Sequence, residues 1–321
     1  MGAFHARTLA TLDAVDVVAV ADNAVAVARS VGEEIGVRHH ASLGDLLADS
    51  DVEAWLIATS TPSHPDVVRR ALAGGVHVLC EKPLALDPAD SDVLGALAAE
   101  SERVLQVGFW RRFSPPWVTA KRLLDAGAIG RPLMLRLAQW DADPPPASFC
   151  DPSTSGGLAI DCGVHEFDLV EWLTGLTVDS VVARNLPLVD QSIGDVGDVD
   201  NLLAVVNLAG GAVATVDLSR NCRYGDDVRT EILGDGGAIF VDLLPTGRTR
   251  LATAAGIEVV AGSESSDAFA AGVAIQAESF AAAVRGRPVE VPGAAASSRA
   301  VALGRAAQYA AETGAAVIAT W

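Results

Sequence analysis

The chain has 321 residues, half of them hydrophobic, with 41 acidic against 23 basic side chains and a formal charge of −18. That acidity repels phosphate backbones and argues against a nucleic-acid partner. No apolar run reaches the roughly 18 residues of a membrane span, and the opening residues, with His5 and Arg7, do not read as a secretion signal. The length predicts two domains. The four cysteines, Cys80, Cys150, Cys162 and Cys222, include no C-x-x-C pair, which predicts free thiols, a cytoplasmic setting and no metal site.

The chain opens on a helical stretch, GAFHARTLATL. VDVVAVAD (15–22) reads as a buried parallel strand ending in an acid, and 23–36 as a helix from Asn23 as N-cap to Gly36. SLGDLLAD gives a short helix from Ser42, EAWLIATS a strand, HPDVVRRALAGG a helix closed by glycines, and VHVLCEKP another strand. DPADSDVLGALAAESE is a helix and VLQVGF a strand. Such strand–helix repeats imply right-handed crossovers and a doubly wound parallel sheet, which binds ligands at the carboxyl ends of its strands.

The pattern changes near Phe109, so domains are expected at 1–109 and 110–321. A helix over 114–127 leads into a strand-rich region: LMLRLAQW, VDSVVAR, NLLAVVNL, AVATVDLS, VRTEIL, GAIFVDL and TRLATA. Tight turns at Ala209-Gly210-Gly211 and Gly234-Asp235-Gly236-Gly237 favour a mostly antiparallel open sheet. One helix near 162–174 interrupts it, and Ala-rich helices near 268–285 and 294–313 close the chain. Apolar residues on both alternating sets of Leu202–Leu208 and Val213–Leu218 make one sheet face a candidate interface of a homo-dimer or homo-tetramer.

Three segments carry candidate chemistry. Asp22 ends the second strand of an expected dinucleotide fold, 20 residues after Gly2, where an acid binds ribose hydroxyls. Asn23 follows and no arginine comes before Arg29, which favours NAD over NADP. Cys80-Glu81-Lys82-Pro83 ends a strand on the ligand-binding edge. Lysine occurs only here and at Lys121, against 21 arginines, so a retained lysine points to a compact, tunable ammonium donor. Asp161 and His165 are four apart and share one face of a helix, where the acid can orient an imidazole that titrates near neutrality. Taken singly, each of these fits a structural pair or a turn as well as a site.

In combination they resemble one family over essentially the whole chain: the Gfo/Idh/MocA oxidoreductases. The resemblance rests on GAFHARTL, Asp22, HPDVVRRALAGGVHVLCEKPLA, VGFWRRF, GAIGRPL, GGLAIDCGVHEFDLVEWLTG and EILGDGGAIFV. Gly108-Phe109-x-Arg111-Arg112-Phe113, the WDADPPPASF loop and Asn221-Cys222-Arg223-Tyr224-Gly225 make the chain look most like the inositol 2-dehydrogenase branch. The resemblance implies a Rossmann-type domain followed by an α+β domain, and NAD-dependent oxidation of a polyol or sugar hydroxyl. It further implies that Lys82 binds the reacting hydroxyl, His165 removes its proton, Asp161 positions His165, and Pro83 follows a cis peptide. Gly2, Phe4, Asp22, Asn23, Thr59, Ser60, His64, Glu81 and Lys82 fall at or beside cofactor positions. Trp110, Arg111, Gln139, Asp141, Cys162 and Tyr224 fall, with Lys82, Asp161 and His165, where the inositol enzymes contact polyol.

Trp110, Gln139, Asp141 and Cys162 depart from the residues usual there, which leaves the particular polyol open. The alternatives are a keto-sugar reductase, a retained-cofactor oxidoreductase or glycosidase on the same fold, and a non-catalytic sugar- or NAD-sensing protein. A zinc alcohol dehydrogenase lacks its ligand set here. Met1-Gly2 also falls on the last two positions of the Gly-x-Gly-x-x-Gly turn. The sequence reading therefore expects about 10–20 further residues upstream, with an apolar strand and the first glycines, without which the chain would be poorly soluble or unable to bind NAD.

Overall fold

The computed structural model describes residues 1–49, 51–242, 248–262 and 268–321. The chain divides into two compact units: Met1–Trp110 with Ala270–Ser298, and Arg111–Phe269 with Arg299–Trp321.

In the first unit, short strands alternate with helices. The strands are β1 (Ala19–Ala21), β2 (Arg38–His40), β3 (Ala54–Ile57), β4 (His77–Cys80) and β5 (Leu105–Val107). Every pairing is parallel, but the strands form two ladders, β1–β2 and β3–β4–β5, where one sheet was expected. The expected strand 15–22 is regular only over Ala19–Ala21, which is half-exposed and so lacks the two-sided burial that its apolar run predicts. Asn23 does not cap the next helix; Val25–Ile35 starts at Ala24, whose N–H is taken instead by Asp22 Oδ1 at 2.8 Å. That helix does end at Gly36, in the left-handed conformation (φ 76°). Ser42 caps Leu43–Leu47 and Asp87 caps Pro88–Glu100, each by accepting a backbone N–H. Val68, Ala71, Val78, Cys80, Leu94 and Val107 are fully buried and form the core.

Residues 270–298, which a division at 109/110 gives to the second domain, pack in this first unit. Val107 N–H donates to Pro292 O at 2.8 Å, Leu84 N–H to Ser297 Oγ at 3.0 Å, and Gln106 Nε2 to Gln276 O at 3.3 Å.

The second unit is built on β6 (Pro132–Trp140), β7 (Val178–Asn185), β8 (Asn201–Leu208), β9 (Val213–Ser219), β10 (Asp227–Gly234), β11 (Ala238–Asp242), β12 (Arg248–Thr253), β13 (Gly256–Gly262) and β14 (Val317–Ile318). They form one open sheet in the order β13-β12-β11-β10-β6-β9-β8-β7-β14, antiparallel throughout except for β6–β9. Leu243, the last residue of the expected strand GAIFVDL, lies outside the described residues. Strict alternation along β8, β9 and β10 puts Leu202, Ala204, Val206, Ala214, Val216, Thr230 and Ile232 on a buried face. The fully buried Trp117 lies in the helix Pro115–Asp125 and donates from Nε1 to Thr230 Oγ1 at 3.1 Å, satisfying the polar atoms of both side chains. The helix Gly163–Thr174 packs on β6 and β9, with Phe167, Leu169, Val170 and Leu173 almost wholly buried. Burying four such side chains contributes roughly 6–12 kcal/mol before entropy is counted, enough to fix this helix on the sheet. Among the described residues no helix is long and apolar enough to cross a membrane.

Candidate active site

In the first unit, the helix Gly2–Leu9 begins beside the carboxyl end of β3; a Cβ on Gly2 would stand 3.9 Å from that of Ala58. Its first-turn N–H groups carry the partial positive charge of a helix start. Phe4 is half-buried and meets His5 edge-on. Asp22 and Asn23 are exposed just after β1, and Thr59 and Ser60 just after β3. Ser63 Oγ donates to Thr59 Oγ1 at 2.8 Å. His64 is 1% exposed, which makes it a tie between loops: Nδ1 lies 2.9 Å from Pro83 O and Nε2 3.1 Å from Thr59 O. Burial holds its pKa below the usual value against the pull of those two carbonyls.

Glu81 and Lys82 follow the fully buried Cys80 at the end of β4, and Lys82–Pro83 is cis. Glu81 is held on one side by His5, whose Nε2 is 2.6 Å from Oε1, and on the other by the Lys82 N–H, 3.2 Å from Oε2. Burial pushes this carboxyl up, but the His5 hydrogen bond, with the nearby charge of Lys82, brings it below its ordinary value.

In the second unit, Asp161 and His165 keep their four-residue spacing, but not on one helix. Asp161 ends the short helix Leu158–Asp161, His165 lies in Gly163–Thr174, and Cys162 joins them with φ −89° and ψ −51°. The break is slight because Cys162 stays right-handed helical. Two glycines let this corner pack. Gly163 lies against β9, where a Cβ would come 2.8 Å from Leu218 Cδ1; Gly157, at φ 75°, leaves room that a Cβ would take from Asp198 and Gln308.

Asp161 is anchored by Arg220, a side chain with no exposed surface. Its Nη2 lies 3.4 Å from Asp161 Oδ2, and its Nη1 donates to Asp198 Oδ2 at 2.9 Å. Asp198 Oδ1 in turn accepts the Leu158 N–H at 3.0 Å, which pins the helix carrying Asp161. Burial raises the Asp198 pKa, and Arg220 opposes that rise. Sequence reasoning missed Arg220 and Asp198; the serine before Arg220 and the glycine before Asp198 gave no local sign of a buried pair.

The remaining polyol candidates form a second chain of contacts. Arg111 is 3% exposed; Nη1 pairs with the fully buried Glu166, and Nη2 donates to Gln139 Oε1 at 2.8 Å. Gln139 Nε2 lies 3.1 and 3.3 Å from the two oxygens of Asp141, and Cys162 Sγ 3.3 Å from Asp141 Oδ2. Burial raises the Glu166 carboxyl against the pull of Arg111. Arg111 is thus placed as a buried support for Gln139 and Asp141. Arg112 grips Asp168 with Nε and Nη2. Trp110 is buried at the end of the first unit. Tyr224 stands apart, 70% exposed, its hydroxyl donating to Asp227 Oδ2 at 2.6 Å; that bond raises its pKa. Among the described residues no group of three or more His, Cys, Asp or Glu side chains could hold a metal ion.

The family model for the oxidoreductase family with an NAD-binding Rossmann fold matches residues 1–109, and the one for the GFO/IDH/MocA C-terminal domain matches 117–240. The scyllo-inositol 2-dehydrogenase (NAD(+)) of Bacillus subtilis is 34% identical over 246 residues, 76% of this chain and 71% of that protein. The myo-inositol 2-dehydrogenase of Thermotoga maritima is 35% identical over 243 residues, 75% of this chain and 72% of that protein. The crystal structure of a myo-inositol dehydrogenase from Corynebacterium glutamicum superposes with a TM-score of 0.86 at 25% identity, covering 100% of this chain and 96% of that one.

Proposed function

This chain belongs to the Gfo/Idh/MocA family of NAD-binding oxidoreductases, and from that premise we propose that it oxidises one ring hydroxyl of an inositol-like polyol. The observation that carries the reading is the Asp161–Cys162–His165 corner, where a buried guanidinium fixes the acid four residues before the histidine. The first unit suits the cofactor: the start of the helix Gly2–Leu9 beside Ala58 for the pyrophosphate, Asp22 for the ribose hydroxyls, and Thr59, Ser60 and the Glu81–Lys82 turn at strand ends. NAD, when bound, supplies the hydride acceptor.

The residues of the chain do the rest. His165 takes the hydroxyl proton, Asp161 orients the imidazole and favours its charged form, and Lys82 donates to the oxygen as negative charge develops on it. Asp141, steadied by Gln139 and Cys162, accepts from a second ring hydroxyl. Reduction of a keto-sugar would use the same residues in reverse. The chain also assembles as a homo-dimer or homo-tetramer through the outer sheet face, where Leu203 and Val205 lie half-buried. Screening inositols and aldoses for NAD reduction tests the reading. His165→Ala and Lys82→Ala should each lower turnover about 10²-fold or more, with NAD affinity kept in His165→Ala. Near-normal turnover in His165→Ala would remove His165 from its role.

A further inference from the structure

His5 was singled out by nothing in the sequence, yet it is 2% exposed and makes one of the shortest hydrogen bonds of the first unit, 2.6 Å from Nε2 to Glu81 Oε1. Its other ring nitrogen, Nδ1, is buried with no partner among the described residues. An Nδ1–H would have no acceptor there, so the proton belongs on Nε2, donated to the carboxylate. Glu81 has little freedom to move away. Its Oε2 takes the Lys82 N–H, and a Cβ on Gly108 would come within 3.2 Å of Glu81 Cα, Cδ and Oε1, so Gly108 is the floor against which the side chain lies. The contacts run in one line: helix Gly2–Leu9, His5, Glu81, and the backbone amide from which Lys82 projects.

We propose that His5 is a positioning residue for Lys82, holding Glu81 so that the lysine leaves β4 in one fixed direction relative to the helix that begins at Gly2. The inference builds on the reading of Lys82 as the donor to the reacting oxygen. It adds a cause for the lysine's placement and a link between the cofactor-side helix and that placement.

The scarcity of lysine makes the test direct. Reductive methylation with ¹³C-formaldehyde labels Lys82, Lys121 and the terminal amine, and Lys121, paired with Asp125 in the second unit, serves as internal reference. Two amide variants are compared. The Gln side chain can put an N–H where His Nε2 stands, whereas that of Asn is too short to reach Glu81. In His5→Asn the Lys82 resonance should move by more than its linewidth while Lys121 stays, and His5→Gln should return it to the wild-type position. Turnover should fall about tenfold or more in His5→Asn with the KM for NAD within about threefold, and His5→Gln should recover most of it. A Lys82 resonance that stays put in a folded His5→Asn, or that moves equally in both variants, overturns the proposal. The resonance comparison decides the point even if the wild-type chain turned over no polyol, an outcome that would refute the functional reading alone.

Discussion

Replacing Arg220 by Met tests the anchoring of Asp161. The guanidinium is wholly buried and bonded to Asp198 and Asp161, and Asp198, itself 4% exposed, also holds the Leu158 N–H. Met fills most of the volume but leaves both acids without their cation. Breaking a buried pair from one side costs about 3–5 kcal/mol, mostly the penalty of the stranded charge. At roughly 2–4 °C per kcal/mol for a domain of this size, the melting temperature of the second unit should fall by roughly 6–20 °C. The loss should depend on pH in a defined direction. Burial already raises the Asp198 pKa above 3.8, and losing Arg220 raises it further. Between the unfolded and folded pKa values the folded state holds more protons than the unfolded one, so stability falls as pH rises through that window. The window extends higher in the variant. The deficit of Arg220→Met against wild type should therefore be smaller at pH 5 than at pH 8, and Asp198→Asn added to Arg220→Met should recover part of it. Thermal melts of the three proteins at both pH values are the assay. An Arg220→Met that melts within about 2 °C of wild type at pH 8 would refute the reasoning.

Two further outcomes follow from named residues. Asp22 is exposed at the end of β1 and should repel a 2′-phosphate, so NAD is preferred and Asp22→Ala shifts the ratio of catalytic efficiencies toward NADP by about tenfold or more, about 1.4 kcal/mol; equal use of both cofactors by the wild-type chain would show that Asp22 does not face the ribose. Leu203 and Val205 on the outer face of β8 should lie in a subunit contact, so sedimentation at micromolar concentration should give a homo-dimer or homo-tetramer; a stable monomer would count against that face.

How far the sequence could be read depended on whether the cause of each feature was local. NLLAVVNL matches β8 residue for residue because its alternation is a one-face burial pattern. Helix ends marked by Gly36 and Ser42 also fell where their backbone chemistry puts them. β13 escaped notice because it is an edge strand with Ile257 and Val259 exposed, so the core imposes no alternation on it. The packing of 270–298 with the first unit was illegible because AFAAGVAIQAESFAAAV carries small apolar residues all round and so marks no single face. Within the site, Glu81, Lys82, Asp161 and His165 were open to notice in the sequence, but only their combination in a family resemblance gave them roles. Partners such as His5, 76 residues from Glu81, and Arg220, 59 residues from Asp161, were not open to notice, because only the fold brings them together. Arg111 is the instructive case. The family resemblance implies a polyol contact for it, and a fully buried Glu166 pairs with its guanidinium, since an acid so deeply buried needs a cation beside it.

That use of arginine bears on which polyols the second unit can accept. Around the Asp161–His165 corner stand four carboxyl groups, Asp141, Asp161, Glu166 and Asp198, against two buried guanidinium groups, Arg111 and Arg220, both already bonded to acids. Counted within the second unit, these acids outnumber the cations that offset them, and their acceptor oxygens suit the hydroxyl hydrogens of a neutral ring. A phosphate ester would bring two more negative charges to a place already in acidic surplus. At about 8 Å and an effective dielectric constant near 20, each like-charged pair costs about 2 kcal/mol. Even one such pair amounts to more than tenfold in affinity. An inositol monophosphate should therefore bind at least tenfold more weakly than the same unphosphorylated inositol, as measured by competition in the NAD-reduction assay. Binding of the phosphate as tight as that of the free polyol would refute this reading of the charges and point instead to exposed Arg223, on the segment before β10, as a phosphate contact.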